Sequence, residues 1–173
     1  MQRNQSTRCT VLFLCTGNYY RSRFAEVVFN TLAREQGLGW TASSRGLAIE
    51  RGIHNVGPIS DHAVQRLKGT GIALDANPRL PLQAREADLA DADLIVALKE
   101  SEHRPLLAER YPQWPDRVEY WHIDDLDIAL PGDALAEIEQ KVAGLVKRLS
   151  RNGHDRPCNS ASQSFGSQKR RKQ

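Results

Sequence analysis

The chain has few cysteines, few aromatic residues and no long hydrophobic run. Its 173 residues include three cysteines, one methionine and 6% aromatic residues. Three cysteines, an odd number in unlike sequence contexts, do not indicate a disulfide framework and favour free thiols. No apolar run approaches the ~20 residues of a membrane span, and the polar first residues do not have the pattern of a signal peptide. We therefore expect a cytoplasmic protein that has no membrane partner.

The net charge of +3 is unevenly distributed along the chain. Residues 151–173 contain six lysines and arginines against one aspartate, a net charge of +5, which leaves −2 for residues 1–150. This basic segment has almost nothing apolar to bury, so the sequence predicts a disordered tail over 151–173. Because the remainder is slightly acidic, the charge does not favour a nucleic-acid partner.

One folded domain is predicted over residues 1–150, where strand and helix patterns alternate. With 40% hydrophobic residues the chain can bury one substantial core. The predicted strands are 11–15, 41–45, 93–98 and 117–121, and the helices that follow them are 22–36, 60–69, 101–110 and 134–149. Four such units predict an α/β fold, a three-layer doubly wound sheet of four parallel strands with a ligand loop at a strand's carboxyl end.

The segment between the first strand and the first helix reads Cys15-Thr16-Gly17-Asn18-Tyr19-Tyr20-Arg21-Ser22. At such a turn the first backbone N–H groups of the helix have no internal partner and the helix dipole is positive, so an anion and a thiolate are both stabilised. A guanidinium at Arg21 can grip two phosphate oxygens in a bidentate fork. The pattern predicts a phosphate-binding loop in which Cys15 is the nucleophile.

Other residues of this loop have supporting roles in the prediction. Gly17 lets backbone N–H groups converge on the phosphate, Asn18 braces the loop, and the Ser22 hydroxyl donates to the sulfur of Cys15. The alternative interpretation is that a cysteine at the end of a buried strand is only a small core residue. The predicted substrate-binding residues are Thr16, Gly17, Asn18, Tyr19, Tyr20, Arg21 and Ser22.

These motifs resemble the low-molecular-weight protein tyrosine phosphatase family, a superfamily shared with thioredoxin-coupled arsenate reductases. The likeness spans about residues 8 to 150 and is carried by segments 11–18, 21–22, 43–46, 63–67, 71–72 and 92–98. The resemblance implies a strand order of 2-1-3-4, a phosphocysteine formed on Cys15, and Arg21 as the phosphate clamp. The chain departs from the family at Tyr20, where a second cysteine is often found, and at Arg23, where proline is usual.

A second loop, after the fourth predicted strand, offers Asp124, Asp125 and Asp127 as general acids. Because the carboxyl ends of parallel strands share one edge, this loop and the cysteine loop can meet. The alternative interpretation is a polar turn that caps the next helix. By resemblance, counting from Trp121 makes Asp125 the catalytic aspartate, although the family's Asp-Pro is replaced here by Asp125-Leu126.

Three functions are compatible with these residues. The first is phosphomonoester hydrolysis through phosphocysteine, on a phosphorylated protein carrying phosphotyrosine or on small aryl phosphates, for which Tyr19 would form an aromatic wall. The second is a pseudophosphatase that only binds a phosphorylated partner. The third, arsenate reduction, is disfavoured because the only cysteine after Cys15 is Cys158 in the tail. The five histidines lack metal-ligand spacing and are expected in surface or capping roles, so neither a metal nor a cofactor is predicted.

Overall fold

The computed structural model describes residues 8–125 and 131–152. The candidate acid Asp127 and nearly all of the predicted basic tail lie outside these residues. Among the residues described, no helix combines the length and the apolar character needed to cross a bilayer.

A four-stranded sheet forms the centre of the fold. Its strands are β1 (Cys9–Cys15), β2 (Trp40–Gly46), β3 (Leu94–Ala97) and β4 (Glu119–Tyr120). They lie in the order β2-β1-β3-β4 and every pairing is parallel. The predicted α/β fold class and strand order are therefore confirmed.

Within residues 8–125 and 131–152, five α-helices connect and cover the strands: α1 (Arg21–Glu35), α2 (Asp61–Gly69), α3 (Glu86–Asp91), α4 (Glu100–Arg110) and α5 (Pro131–Asn152). Short 3-10 turns lie at Ile49–Gly52 and Pro115–Arg117. Helix α3 was not predicted, because six residues are too few to show a helical period. Helix α5 continues past residue 150, two residues beyond the predicted domain boundary.

The central strand β1 divides the core into two layers. Val11 and Phe13 pack with side chains of α1, α2 and α5, whereas Leu12 and Leu14 pack with Leu89, Leu107 and other residues of the opposite layer. Successive side chains of a strand point to opposite faces, so a strand covered on both sides is apolar at every position. This double burial explains the continuous apolar run before Cys15.

The described cysteines differ in state. Cys15 is a free thiol, whereas Cys9 is disulfide-bonded. The expectation of free thiols is therefore wrong for Cys9.

Parallel pairing brings three chain segments to the same edge of the sheet. Beyond the strands, the N–H of Leu98 donates to the carbonyl of Leu14 at 3.0 Å, and the N–H of Ile123 donates to Leu98 at 2.8 Å. The segments after β1, β3 and β4 are thus held side by side. This places the cysteine loop, the start of α4 and the Asp124-Asp125 segment around one point.

We expect Phe29→Ala to lower the free energy of unfolding by about 3–5 kcal/mol. Phe29 is fully buried and its ring lies 6.0 Å from that of Phe13 in an edge-to-face arrangement. Leu80→Ala is the control, because that side chain is 67% exposed. Urea unfolding of both variants measures the difference. Equal losses at the two positions would contradict the description of this core.

Candidate active site

Cys15 ends β1 with its side chain 3% exposed. Its Sγ lies 2.9 Å from the hydroxyl oxygen of Ser22 and accepts the backbone N–H of Asn18 at 3.2 Å. A sulfur that carries negative charge is stabilised by such donors, and the Ser22 hydroxyl can rotate to become one. The geometry is therefore suited to a thiolate.

Asn18 is the centre of the hydrogen bonds that hold the loop. It is buried, and its backbone is left-handed with φ 51°, a conformation that asparagine tolerates better than most residues. Its side-chain NH₂ donates to Ser22 at 3.0 Å and to Ser44 at 2.8 Å. Its side-chain oxygen accepts from Arg79 at 2.9 Å and from the backbone of Leu82 at 3.0 Å. Three of these four side-chain contacts, those with Ser44, Arg79 and Leu82, tie the loop to distant parts of the chain.

Arg79 and Glu26 extend this brace. Arg79 Nη2 donates to Glu26 at 2.9 Å and to the carbonyl of Ser44 at 2.9 Å, while the Ser44 hydroxyl donates to the same Glu26 oxygen. Sequence reasoning missed Arg79 and Glu26. No local pattern marks them, because Arg79 is 61 residues from Asn18 in sequence.

A glycine outside the loop allows the loop to approach β2. A Cβ on Gly46 would lie 2.8 Å from the carbonyl oxygen of Thr16 and 3.1 Å from the N of Asn18. Any larger residue would push the loop away. By contrast, the nearest atom to a Cβ on Gly17 would be Asn55 Nδ2 at 3.4 Å, an ordinary contact distance. The approach of the loop to β2 therefore requires glycine at Gly46, whereas the role predicted for Gly17 concerns the phosphate and stays a prediction.

Arg21 lies beneath the loop and is 1% exposed. Its two Nη atoms form a bidentate pair with the carboxylate of Glu102, at 2.9 and 2.8 Å. Nη1 also donates to the carbonyl of Ile123 at 3.2 Å, and Nη2 donates to Asp125 at 2.7 Å. Burial disfavours the charge of Arg21, but the hydrogen bonds with Glu102 and the negative groups nearby raise its pKa. The guanidinium is therefore charged at any working pH.

The three candidate acids have different positions. Asp125 is ion-paired with Arg21 and its side chain is 41% exposed. Asp124 instead pairs with Lys99 at the start of α4. Asp127 lies outside the described residues. Of the two aspartates that the structure describes, Asp125 is the one in contact with the loop arginine.

Glu102 and His103 were not predicted as site residues. Burial alone would raise the pKa of Glu102, but hydrogen bonds from His103, Arg21 and Thr16 hold it well below its usual range. His103 is completely buried, which lowers its pKa, and its Nδ1 accepts the backbone N–H of Lys99 at 2.9 Å. Of the surface or capping roles expected of the histidines, His103 therefore has the capping one. Among the residues described, no group of side chains is arranged to hold a metal.

The two tyrosines of the loop lie on different sides of it. Tyr20 is 5% exposed and packs in the core, and its burial, together with the negative charge of Asp125, raises its pKa to about 12. Tyr19 is partly exposed, and its hydroxyl donates to the carbonyl of Val56 at 2.8 Å. Val56 and Ile53 of the same surface loop are 83% and 79% exposed. An apolar rim made of these three residues therefore adjoins the candidate phosphate site.

The known proteins that this chain resembles are phosphatases. The family model described as low molecular weight phosphotyrosine protein phosphatase matches residues 10–155. A protein-arginine-phosphatase of Bacillus subtilis (strain 168) is 30% identical over 154 residues, which cover 82% of this chain and 97% of that protein. The low molecular weight protein-tyrosine-phosphatase YfkJ of the same organism is 37% identical over 89 residues, 51% of this chain and 55% of that protein.

A solved structure shows the same fold. The low molecular weight protein tyrosine phosphatase from T. tengcongensis has a TM-score of 0.66 and 30% sequence identity, over 83% of this chain and 99% of that one. The fold and the loop thus define a cysteine-dependent hydrolase of phosphorylated substrates. The chain belongs to the low molecular weight phosphotyrosine protein phosphatase family.

We expect Arg79→Met to lower the free energy of unfolding by about 1–3 kcal/mol, because it removes partners from Asn18, Glu26 and the Ser44 carbonyl. Arg148→Met is the matched control. Its single ion pair with Glu119 is exposed, so at most about 1 kcal/mol should be lost. Urea unfolding at neutral pH tests both, and an equal or larger loss in the control would contradict the brace.

Proposed function

We propose that this enzyme hydrolyses phosphotyrosine on proteins through a phosphocysteine intermediate. The observation that supports the proposal is the contact of Arg21 with Asp125 beneath a loop in which Cys15 Sγ accepts the backbone N–H of Asn18 and lies 2.9 Å from the Ser22 hydroxyl oxygen. We assign the roles of nucleophile, anion clamp and acid to Cys15, Arg21 and Asp125.

In the first step the thiolate of Cys15 attacks the phosphorus, an S–P bond forms and the P–O bond to the leaving group breaks. The helix α1 begins at Arg21, so its first N–H groups are available to a phosphate held in the loop. These N–H dipoles need not reorganise to stabilise the charge that develops in the transition state, and the buried guanidinium of Arg21 lies beside them. The rest of the proposed phosphate-binding loop includes Thr16, Gly17, Asn18 and Ser22.

Asp125 is proposed as the general acid and base. It donates a proton to the leaving phenolate oxygen. Its carboxylate then removes a proton from a water molecule whose oxygen attacks the phosphorus, an O–P bond forms and the S–P bond breaks. Inorganic phosphate leaves and the Cys15 thiolate is regenerated. Asp124 is the weaker candidate because Lys99 holds it at the start of α4, and Asp127 stays an untested alternative.

The apolar rim favours an aryl phosphate. This rim is exposed or half-exposed apolar surface next to the loop, and it consists of Tyr19, Ile53 and Val56. A phosphotyrosine ring can pack against such a surface while its phosphate reaches the cysteine. Small aryl phosphates satisfy the same contacts and are suitable assay substrates.

Phosphoarginine is the second candidate substrate. The relative that shares 30% identity over 97% of its own length is a protein-arginine-phosphatase. Around the loop, Asp124, Asp125 and Glu102 supply three carboxylates, and such groups suit a guanidinium leaving group.

Hydrolysis rates of one peptide carrying either phosphotyrosine or phosphoarginine separate the two candidates. A higher kcat/KM for the phosphoarginine peptide would overturn the first choice.

The phosphorylated protein partner and the compartment also belong to this proposal. We infer a cytoplasmic enzyme from the low cysteine content and from the absence of a long apolar run in the sequence. The disulfide at Cys9 does not support that compartment.

We expect Cys15→Ser to abolish turnover of para-nitrophenyl phosphate, while inorganic phosphate still binds within a few-fold of the wild-type Kd. Serine keeps the shape of the loop but not the thiolate. Arg21→Lys should lose both binding and turnover, because a point charge does not reproduce the planar fork. Steady-state kinetics and calorimetry measure the two properties. Near-normal hydrolysis by Cys15→Ser would rule out the phosphocysteine.

We expect Asp125→Asn to slow hydrolysis of phenyl phosphate by about 10²–10⁴-fold and that of para-nitrophenyl phosphate much less. The nitrophenolate leaves readily without a proton, whereas the phenolate does not. Asp124→Asn is the matched control and should have a small effect on both substrates. If the control showed the large, substrate-dependent loss instead, the acid would be Asp124.

A further inference from the structure

Glu102 has no role in the mechanism above, yet it touches more of the phosphate loop than any predicted acid does. Its two carboxylate oxygens accept from both Nη atoms of Arg21, at 2.8 and 2.9 Å. The hydroxyl of Thr16 donates to the same carboxylate. The side chain is 35% exposed and reaches the loop from the first turn of α4.

Arg21 carries two hydrogens on each Nη atom, and protein groups accept all four. On Nη1 the acceptors are Glu102 and the carbonyl of Ile123, and on Nη2 they are Glu102 and Asp125. A phosphate can therefore be gripped through the Nη atoms only if its oxygens replace some of these acceptors. The bidentate contact with Glu102 is the pair whose geometry matches the one a phosphate would make.

His103 supports Glu102 from the protein interior. The Nδ1 of His103 accepts the backbone N–H of Lys99, so in the neutral ring the proton is on Nε2. This Nε2 is buried, forms no hydrogen bond within the described part of the chain, and lies 3.5 Å from Oε1 of Glu102. The ring therefore presents its N–H to the carboxylate and limits where Glu102 can move.

Before a substrate binds, the carboxylates that contact Arg21 already carry more negative charge than its guanidinium carries positive charge. Glu102 and Asp125 contribute two negative charges against one positive charge. A phosphate monoester adds up to two more negative charges at the same place. Removing the charge of Glu102 should therefore strengthen the binding of any anion in the loop.

We propose that Glu102 is a positioning residue of the phosphatase reaction, which aligns the fork of Arg21 and competes with phosphate for it. While the site is empty, the carboxylate keeps the buried guanidinium and the Thr16 hydroxyl in place. When phosphate binds, its oxygens take over N–H groups from the carboxylates. The proposal rests on the phosphatase activity proposed above, but its binding test needs no turnover.

The test compares Glu102→Gln and Glu102→Asp with Glu100→Gln as the matched control. Glu100 lies two residues earlier in the same helical turn, pairs with Arg104 and does not contact the loop. For each variant, calorimetry gives the Kd of inorganic phosphate at fixed pH and ionic strength. Steady-state kinetics with para-nitrophenyl phosphate give kcat and KM, and thermal melting shows that each variant is folded.

For Glu102→Gln we expect phosphate to bind about tenfold more tightly than to the control. Its kcat should fall about tenfold or more, because the fork is no longer aligned. Glu102→Asp keeps the charge but is one methylene shorter. Its phosphate Kd should stay within about threefold of wild type while its kcat falls as well. A residue with a merely structural role would weaken phosphate binding and lower the melting temperature instead.

Equal phosphate Kd values for Glu102→Gln and Glu100→Gln would overturn the competition between Glu102 and phosphate. A kcat equal to that of the control in both Glu102 variants would overturn the positioning role. A wild-type protein that binds phosphate but hydrolyses neither para-nitrophenyl phosphate nor phenyl phosphate would instead contradict the proposed function. In that case the Kd comparison would still decide whether Glu102 competes for Arg21.

Discussion

The buried guanidinium of Arg21 is the interaction on which the arrangement of the site depends. It is 1% exposed, itself follows β1 in the chain, and contacts residues that follow two other strands: Glu102 after β3, and Ile123 with Asp125 after β4. A buried charge without partners costs several kcal/mol, so these segments are held together wherever the guanidinium is charged. The same constraint places the proposed acid beside the arginine of the cysteine loop.

A second set of contacts fixes the shape of the loop itself. Asn18, in its left-handed conformation, uses its side-chain amide to join Ser22, Ser44, Arg79 and Leu82. Because a fully satisfied buried amide has few alternative arrangements, the loop N–H groups keep their directions before substrate binds. Preorganisation of this kind is what electrostatic stabilisation of a transition state requires.

Much of this could be predicted from local sequence patterns. The apolar run before Cys15 predicted β1, and the change to helical spacing after Ser22 predicted α1 and hence a loop at the carboxyl end of a strand. The family resemblance supplied the strand order, which the structure confirms. Helix α3 escaped prediction because six residues contain less than two turns. The burial of His103 was not predicted, since a lone histidine in a polar helix gives no sign of burial.

The sequence by itself determined the α/β fold, the position of the loop and the candidates Cys15 and Arg21, because these depend on spacings of a few residues. The tertiary structure alone identified Glu102, Arg79 and Gly46. It also showed that Asp125, which the family resemblance had already put first, pairs with Arg21, whereas Asp124 pairs with Lys99. Arg21 lies 81 residues from Glu102 and 104 from Asp125, and Asn18 lies 61 from Arg79. Contacts over such separations leave no periodic trace in the sequence, since they arise only when parallel strands bring their carboxyl ends to one edge.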